Sequence, residues 1–169
     1  MTEEELRIRG YLTSQAAKLT PAAIVEKVRS AMADLDEAAR AVPPARFADR
    51  PGADDWSAND VMAHVLDADA HFGEGILSAL DDRPFLPPAE RREPKVAPRR
   101  TAQAWSDLLE QSRAALFQRV LAADPSAKLE RAIQHGMFGS LNWRETLLFM
   151  RLHDLDHAGQ LKQIAAALA

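Results

Sequence analysis

His153 and His157 stand four residues apart in the stretch Arg151-Leu-His-Asp-Leu-Asp-His157. On a helix this spacing stacks two imidazoles one turn apart on the same face, about 40° apart in projection. Thr146, Phe149, Met150, Gln160 and Ile164 share that face to within about 60°, whereas Arg144, Arg151 and Lys162 point the other way, giving an apolar inside and a cationic outside. Two inward imidazoles can grip a divalent metal ion if a facing element supplies a third ligand.

A third histidine must come from another inward face, and His64 lies on or beside one. In the helical stretch that carries it, Ser57, Val61, Ala68, Phe72 and Gly75 fall within about 80° of His64 and form an apolar stripe with it. His71 shares the stripe but sits about 10 Å further along, too far for one ion to take both from a straight helix. It reads as a pocket-lining residue or a proton donor beside the site. His135, next to Gly136-Met137-Phe138-Gly139, is a third candidate, able to fold over the site from the segment before the last helix. Asp67 and Asp156, both about 60° from their nearest histidine in projection, are candidates to hold ligating imidazoles by accepting their second N–H. The zincin pattern His-Glu-x-x-His is absent, because position 154 is an aspartate on a shorter arm. From the residues alone, a metal site and three hydrogen-bonded core histidines are both open.

The elements that must position these side chains read as helices. Ala and Leu supply 52 of 169 residues while Val, Ile and Thr supply 17, a balance that favours helix over sheet. Residues 3–19 form a short helix interrupted near Gly10, docked through Leu6, Tyr11, Leu12 and Leu19. Thr20-Pro21 caps a helix running to Val42 before Pro43-Pro44 stops it. Ser57-x-x-Asp60 resembles a capping box opening a helix to Leu80, with Gly73 and Gly75 marking a close approach of another helix or a weak turn. Thr101 caps a helix over 102–122, and Asn142-x-x-Glu145 opens the last one. Residues 83–100, basic and interrupted by prolines, read as a crossing loop, and 124–141 as irregular. Trp56, Trp105 and Trp143 read as core or helix-entry packing. Four amphipathic helices make an all-α bundle in one domain spanning 1–169, with a short extra N-terminal helical segment.

Composition excludes much. No cysteine is present, so disulfides, zinc ribbons and a thiol nucleophile of the protein's own are ruled out. A formal charge of −4, spread along the chain, speaks against nucleic acid as a partner. No stretch approaches the roughly 18 apolar residues of a membrane span, and the charged start lacks the apolar core of a signal peptide, so a cytoplasmic location is expected.

Trp56-Ser57 opening a helix, then His64-Val-Leu-Asp67, then His153-Asp-Leu-Asp-His157-x-x-Gln160 on the last helix, resembles the DinB/YfiT-like superfamily from about Thr20 onward. The resemblance implies a four-helix bundle, a homodimer, and a divalent metal held by His64, His153 and His157. It also implies a thiol-dependent transferase or isomerase using a low-molecular-weight thiol such as bacillithiol or mycothiol. A metal-dependent enzyme acting on a small molecule, through an activated thiol or water, is therefore expected, with His71, Asp67 and His135 as candidate catalytic residues. The alternative is a non-catalytic metal- or ligand-binding stress-response module. The donor set suits Zn, Ni, Fe and Mn alike.

Overall fold

A computed structural model describes residues 1–85 and 96–169. Five helices begin where a side chain caps them. Thr2 caps α1 (Glu3–Lys18), Thr20 caps α2 (Pro21–Ala41) and Ser57 caps α3 (Ala58–Leu80). Thr101 caps α4 (Ala102–Leu121), and Asn142 caps α5 (Trp143–Leu168). The caps of α1, α3 and α5 are reciprocal capping boxes, closed by Glu5, Asp60 and Glu145. Each cap satisfies a backbone donor that the first turn would leave unpaired, at about 1 kcal/mol apiece.

Helices α2 and α3 each pack on both α4 and α5, so the order around the bundle is α2, α5, α3, α4. Cross-links fix the directions. Trp105 bonds to Asn59, Arg113 to Asp69 and Arg119 to Asp81, so α3 and α4 run parallel. Ser106 and Gln103 bond to Asp36 and Arg40, which makes α2 antiparallel to α4. His64 meets His153 while Phe72 meets Phe149, so α5 runs antiparallel to α3. Helix α1 lies outside the four and packs on α5.

The core is divided into two apolar clusters. One gathers Leu12, Ile24, Ile76, Leu116, Phe138, Trp143 and Leu147; the other gathers Leu35, Val61, Met62, Trp105, Leu109 and Leu161. On α5 the first cluster ends at Met150 and the second begins at Ala158. The segment between them holds His153, Asp154 and His157. On α3 the corresponding gap, between Val65 and Ile76, holds Asp69 and His71, with His64 at its edge beside Val65, and on α4 it holds Arg113. A polar belt thus crosses the bundle between two apolar halves.

Several expectations change. Helix α1 is continuous through Gly10, where nothing lies within reach of a Cβ. Leu6 and Tyr11 are exposed; Leu12 and Leu19 dock as expected, joined by Ile8 and Ala16. The stretch 124–141 contains an antiparallel hairpin, β1 (Ile133–His135) and β2 (Gly139–Leu141), with Ile133 opposite Leu141 and His135 opposite Gly139. Gly139 takes φ +70°, a left-handed conformation that suits glycine. Gly75 serves close approach, but to a strand: a Cβ there would lie 2.9 Å from Ile133 Cγ2. Trp105 and Trp143 are buried as expected, whereas Trp56 stands at the entry to α3 with 42 % of its surface exposed. Arg144 leaves the expected outer face, bonding to the carbonyls of Leu19 and Pro125. Of the 83–100 loop, residues 86–95 lie outside the described residues; Pro98 and Arg100 are tied to the start of α3 by both ends of the Asn59 amide. Among the described residues, no helix is long and apolar enough to cross a membrane.

Candidate metal centre

The antiparallel pairing of α3 and α5 brings His64 onto the two-histidine face of α5. His153 Nε2 lies 3.2 Å from His64 Nε2 and 3.2 Å from His157 Nε2. All three residues offer one ligand atom within 4.8 Å of the others, and among the described residues they form the one His/Cys/Asp/Glu group so arranged. Metal–nitrogen bonds of about 2.1 Å would place neighbouring ligand nitrogens about 3.0 Å apart at a right angle and about 3.4 Å apart at the tetrahedral angle. The observed spacing falls between the two. The donor set and its geometry fit a divalent ion.

Proton placement agrees. His157 Nδ1 lies 2.8 Å from Gln160 Oε1, an oxygen that can only accept. The proton of His157 is therefore on Nδ1, and Nε2 turns a lone pair toward the other two rings. Burial, then the neighbouring His157, His64, Arg113 and His135, pushes the pKa of His153 down to about 3. Burial and His157 also lower His64, with Asp67 opposing them. Both imidazoles are neutral at pH 7, the form that ligates.

Beneath the histidines lies a network that the sequence reading missed. Arg113 donates from Nη1 and Nη2 to both oxygens of Asp154, at 2.6 and 2.9 Å, and from Nε to Asp69 at 2.6 Å. Ser112 donates to the other oxygen of Asp69. Arg113, Asp69 and Asp154 are all almost fully buried. Burial alone pushes the Asp154 carboxyl up, but both its oxygens face guanidinium N–H groups, so the ionised pair is the state this geometry requires; the pKa of Arg113 is raised accordingly. Two carboxylates against one guanidinium leave a formal charge of −1 beside the triad. The signal was in the sequence: Arg113 continues the Leu109, Leu116, Val120 stripe of α4, and Asp69 continues the Met62, Val65, Ile76 stripe of α3.

The other candidates take separate places. Asp156 is exposed and bonds to neither His153 nor His157; the residue that holds an imidazole on α5 is Gln160 instead. Asp67 acts on His64 through its charge. Trp56 sets its ring edge-on against His64, with centroids 5.1 Å apart. His135 is stacked between Phe72 and Phe138, nearly parallel to both, and stands 4.4 Å from Phe149. Its Nδ1 accepts from the backbone N–H groups of Met137 and Phe138, so Nε2 carries the proton. Burial and the nearby His71 hold it neutral. His71 is outside the triad. It packs on Phe72 and Phe85, its Nδ1 is buried without a hydrogen bond, and it lines a cavity of about 570 Å³.

Residues 12–161 match the family model of the DinB superfamily. The chain belongs to the DinB superfamily. The match covers α2, α3 and α4 whole and α5 as far as Leu161, and includes each histidine of the triad. No curated protein and no solved structure matches the chain.

Proposed function

We propose that this DinB-superfamily chain is a divalent-metal-dependent enzyme acting on a small molecule, with His64, His153 and His157 as the metal ligands. The observation that carries the reading is the convergence of three imidazole nitrogens, with His153 Nε2 3.2 Å from each of the other two and Gln160 fixing the tautomer of His157. When bound, the ion supplies Lewis acidity and acidifies a coordinated thiol or water near neutral pH, leaving open positions that protein ligands do not fill.

The chain's own residues complete the site. Gln160 orients His157, and the Asp69–Arg113–Asp154 network fixes the backbone of α5 at the triad while placing a net negative charge beneath a cation. His135 offers a preset Nε2–H donor beside Phe149 and His153, suited to a developing negative charge on a substrate. Trp56 shields one flank of His64 while leaving part of its indole to solvent. The chain has no cysteine, so any thiolate comes from a cosubstrate. Thiol S-transfer is the preferred reaction, with hydrolysis or isomerisation through activated water as the variant of the same site.

The test is conjugation of a low-molecular-weight thiol to a model electrophile by protein stripped with chelator and reloaded with Zn²⁺, Ni²⁺, Fe²⁺ or Mn²⁺. Turnover that depends on the ion and disappears in His64→Ala supports the enzyme. A large thermal stabilisation by metal without turnover of any thiol–electrophile or ester substrate favours a binding module instead.

A further inference from the structure

A stripe of partly open and small residues runs along α3 away from His64, through Ala68 and His71 to Gly75 and Ala79, all within about 80° of one another in projection. The far part of this stripe is the floor of the cavity of about 570 Å³. That volume suits a small-molecule site. Its near end is His71, one ring away from Phe72, which itself packs on His153. The cavity therefore opens about 10 Å along the helix from the proposed ligand His64.

Its walls are of two kinds. Phe85, Ile133, Gly75 and Ala79 are apolar, and Gly75 is what lets Ile133 seat against the helix. Arg83 and Arg131 bring two guanidinium groups to the same rim. Both are braced from behind. Arg83 donates to Glu74 at 2.9 Å, and Arg131 pairs with Asp82 at 3.2 Å while bonding to the carbonyl of Arg83. These contacts occupy one donor of Arg83 and two of Arg131, out of five each, so both keep N–H groups for a ligand. Among the described residues, Glu130 is the one carboxylate of the lining, while Glu74 and Asp82 pair with the two guanidinium groups from behind.

We infer that this cavity seats the anionic end of the substrate: a small molecule with an apolar middle and a carboxylate or phosphate held by Arg83 and Arg131, its reactive atom reaching the triad. The inference rests on the metal-site reading for the position of the reactive atom, but not for recognition of the anion. Bidentate guanidinium recognition favours a planar carboxylate or a phosphate over a neutral polar group.

The experiment uses the cobalt-loaded chain, whose thiolate-to-cobalt absorption reports binding of ω-mercapto probes. 8-Mercaptooctanoate is expected to bind about tenfold or more tighter than 8-mercaptooctanol, and 3-mercaptopropionate to show no such advantage over its alcohol. The advantage should disappear in Arg83→Gln/Arg131→Gln with cobalt stoichiometry unchanged. Equal binding of the long acid and alcohol, or an advantage that survives the double variant, overturns the inference. Calorimetry of octanoate and inorganic phosphate on the metal-free chain separates the two readings. If cobalt does not bind the triad, the metal reading fails, yet anion binding that is lost in the double variant still upholds the cavity. Failure of both anions to bind the metal-free parent chain overturns the cavity assignment.

Discussion

Gln160 accepts the Nδ1–H of His157 at 2.8 Å, and that bond decides which nitrogen His157 turns toward His153. One amide one turn further along α5 thus sets the tautomer of a proposed ligand. Gln160→Ala is expected to leave the fold intact and weaken divalent metal binding by about 10- to 100-fold, read by competition with a chromophoric chelator. An unchanged affinity would remove Gln160 from the account.

The Asp69–Arg113–Asp154 network ties α3, α4 and α5 together in the polar belt. Arg113→Met leaves two buried carboxylates without their cation, and urea unfolding should show a loss of about 3–5 kcal/mol. Replacing all three by apolar residues of similar volume should recover much of that loss. If the single and triple variants are equally unstable, buried unpaired charge is not the cause.

Acid should destabilise the metal-free protein partly through His153. The side chain has a folded pKa near 3 against an unfolded value of 6.5, so the unfolded state takes up the proton first as pH falls. Stability from this group is complete above about pH 6.5 and drains away toward pH 3, at up to about 1.4 kcal/mol per pH unit. Between pH 7 and 4.5 the parent should lose about 2.5 kcal/mol more than His153→Leu. Identical pH profiles for the two would contradict the assignment.

Gly75 and Ile133 offer a test of the hairpin's seat. A Cβ at 75 would press on Ile133 Cγ2, a methyl held on a β-branched side chain with little freedom to move. Gly75→Ala gains about 1 kcal/mol of helix propensity but should be destabilising overall by about 1 kcal/mol. In an Ile133→Ala background the same change should become stabilising. Additive effects across this cycle would show that the two residues do not meet.

Much of the fold was legible. Ser57 with Asp60 and Asn142 with Glu145 announced the starts of α3 and α5, and the apolar stripes announced which faces turn inward. The hairpin was not legible, because Ile133–His135 and Gly139–Leu141 are three residues each, too short to show a period. For the site, spacing placed His153 and His157 together, while the approach of His64 depends on the antiparallel packing of α3 and α5. The buried ion network was readable in principle, since Arg113 interrupts an apolar stripe, but its two aspartate partners come from different helices. Asp156 looked suitable by angle alone; Gln160 has the longer arm that reaches Nδ1.

The central claim is that His64, His153 and His157 bind one divalent ion. Its most direct test is metal stoichiometry after chelator stripping and reloading, measured on the parent and on single alanine variants. The account predicts one ion per chain in the parent, His71→Ala and His135→Ala, and loss of that ion in His64→Ala, His153→Ala and His157→Ala. Full occupancy retained in His153→Ala would contradict it.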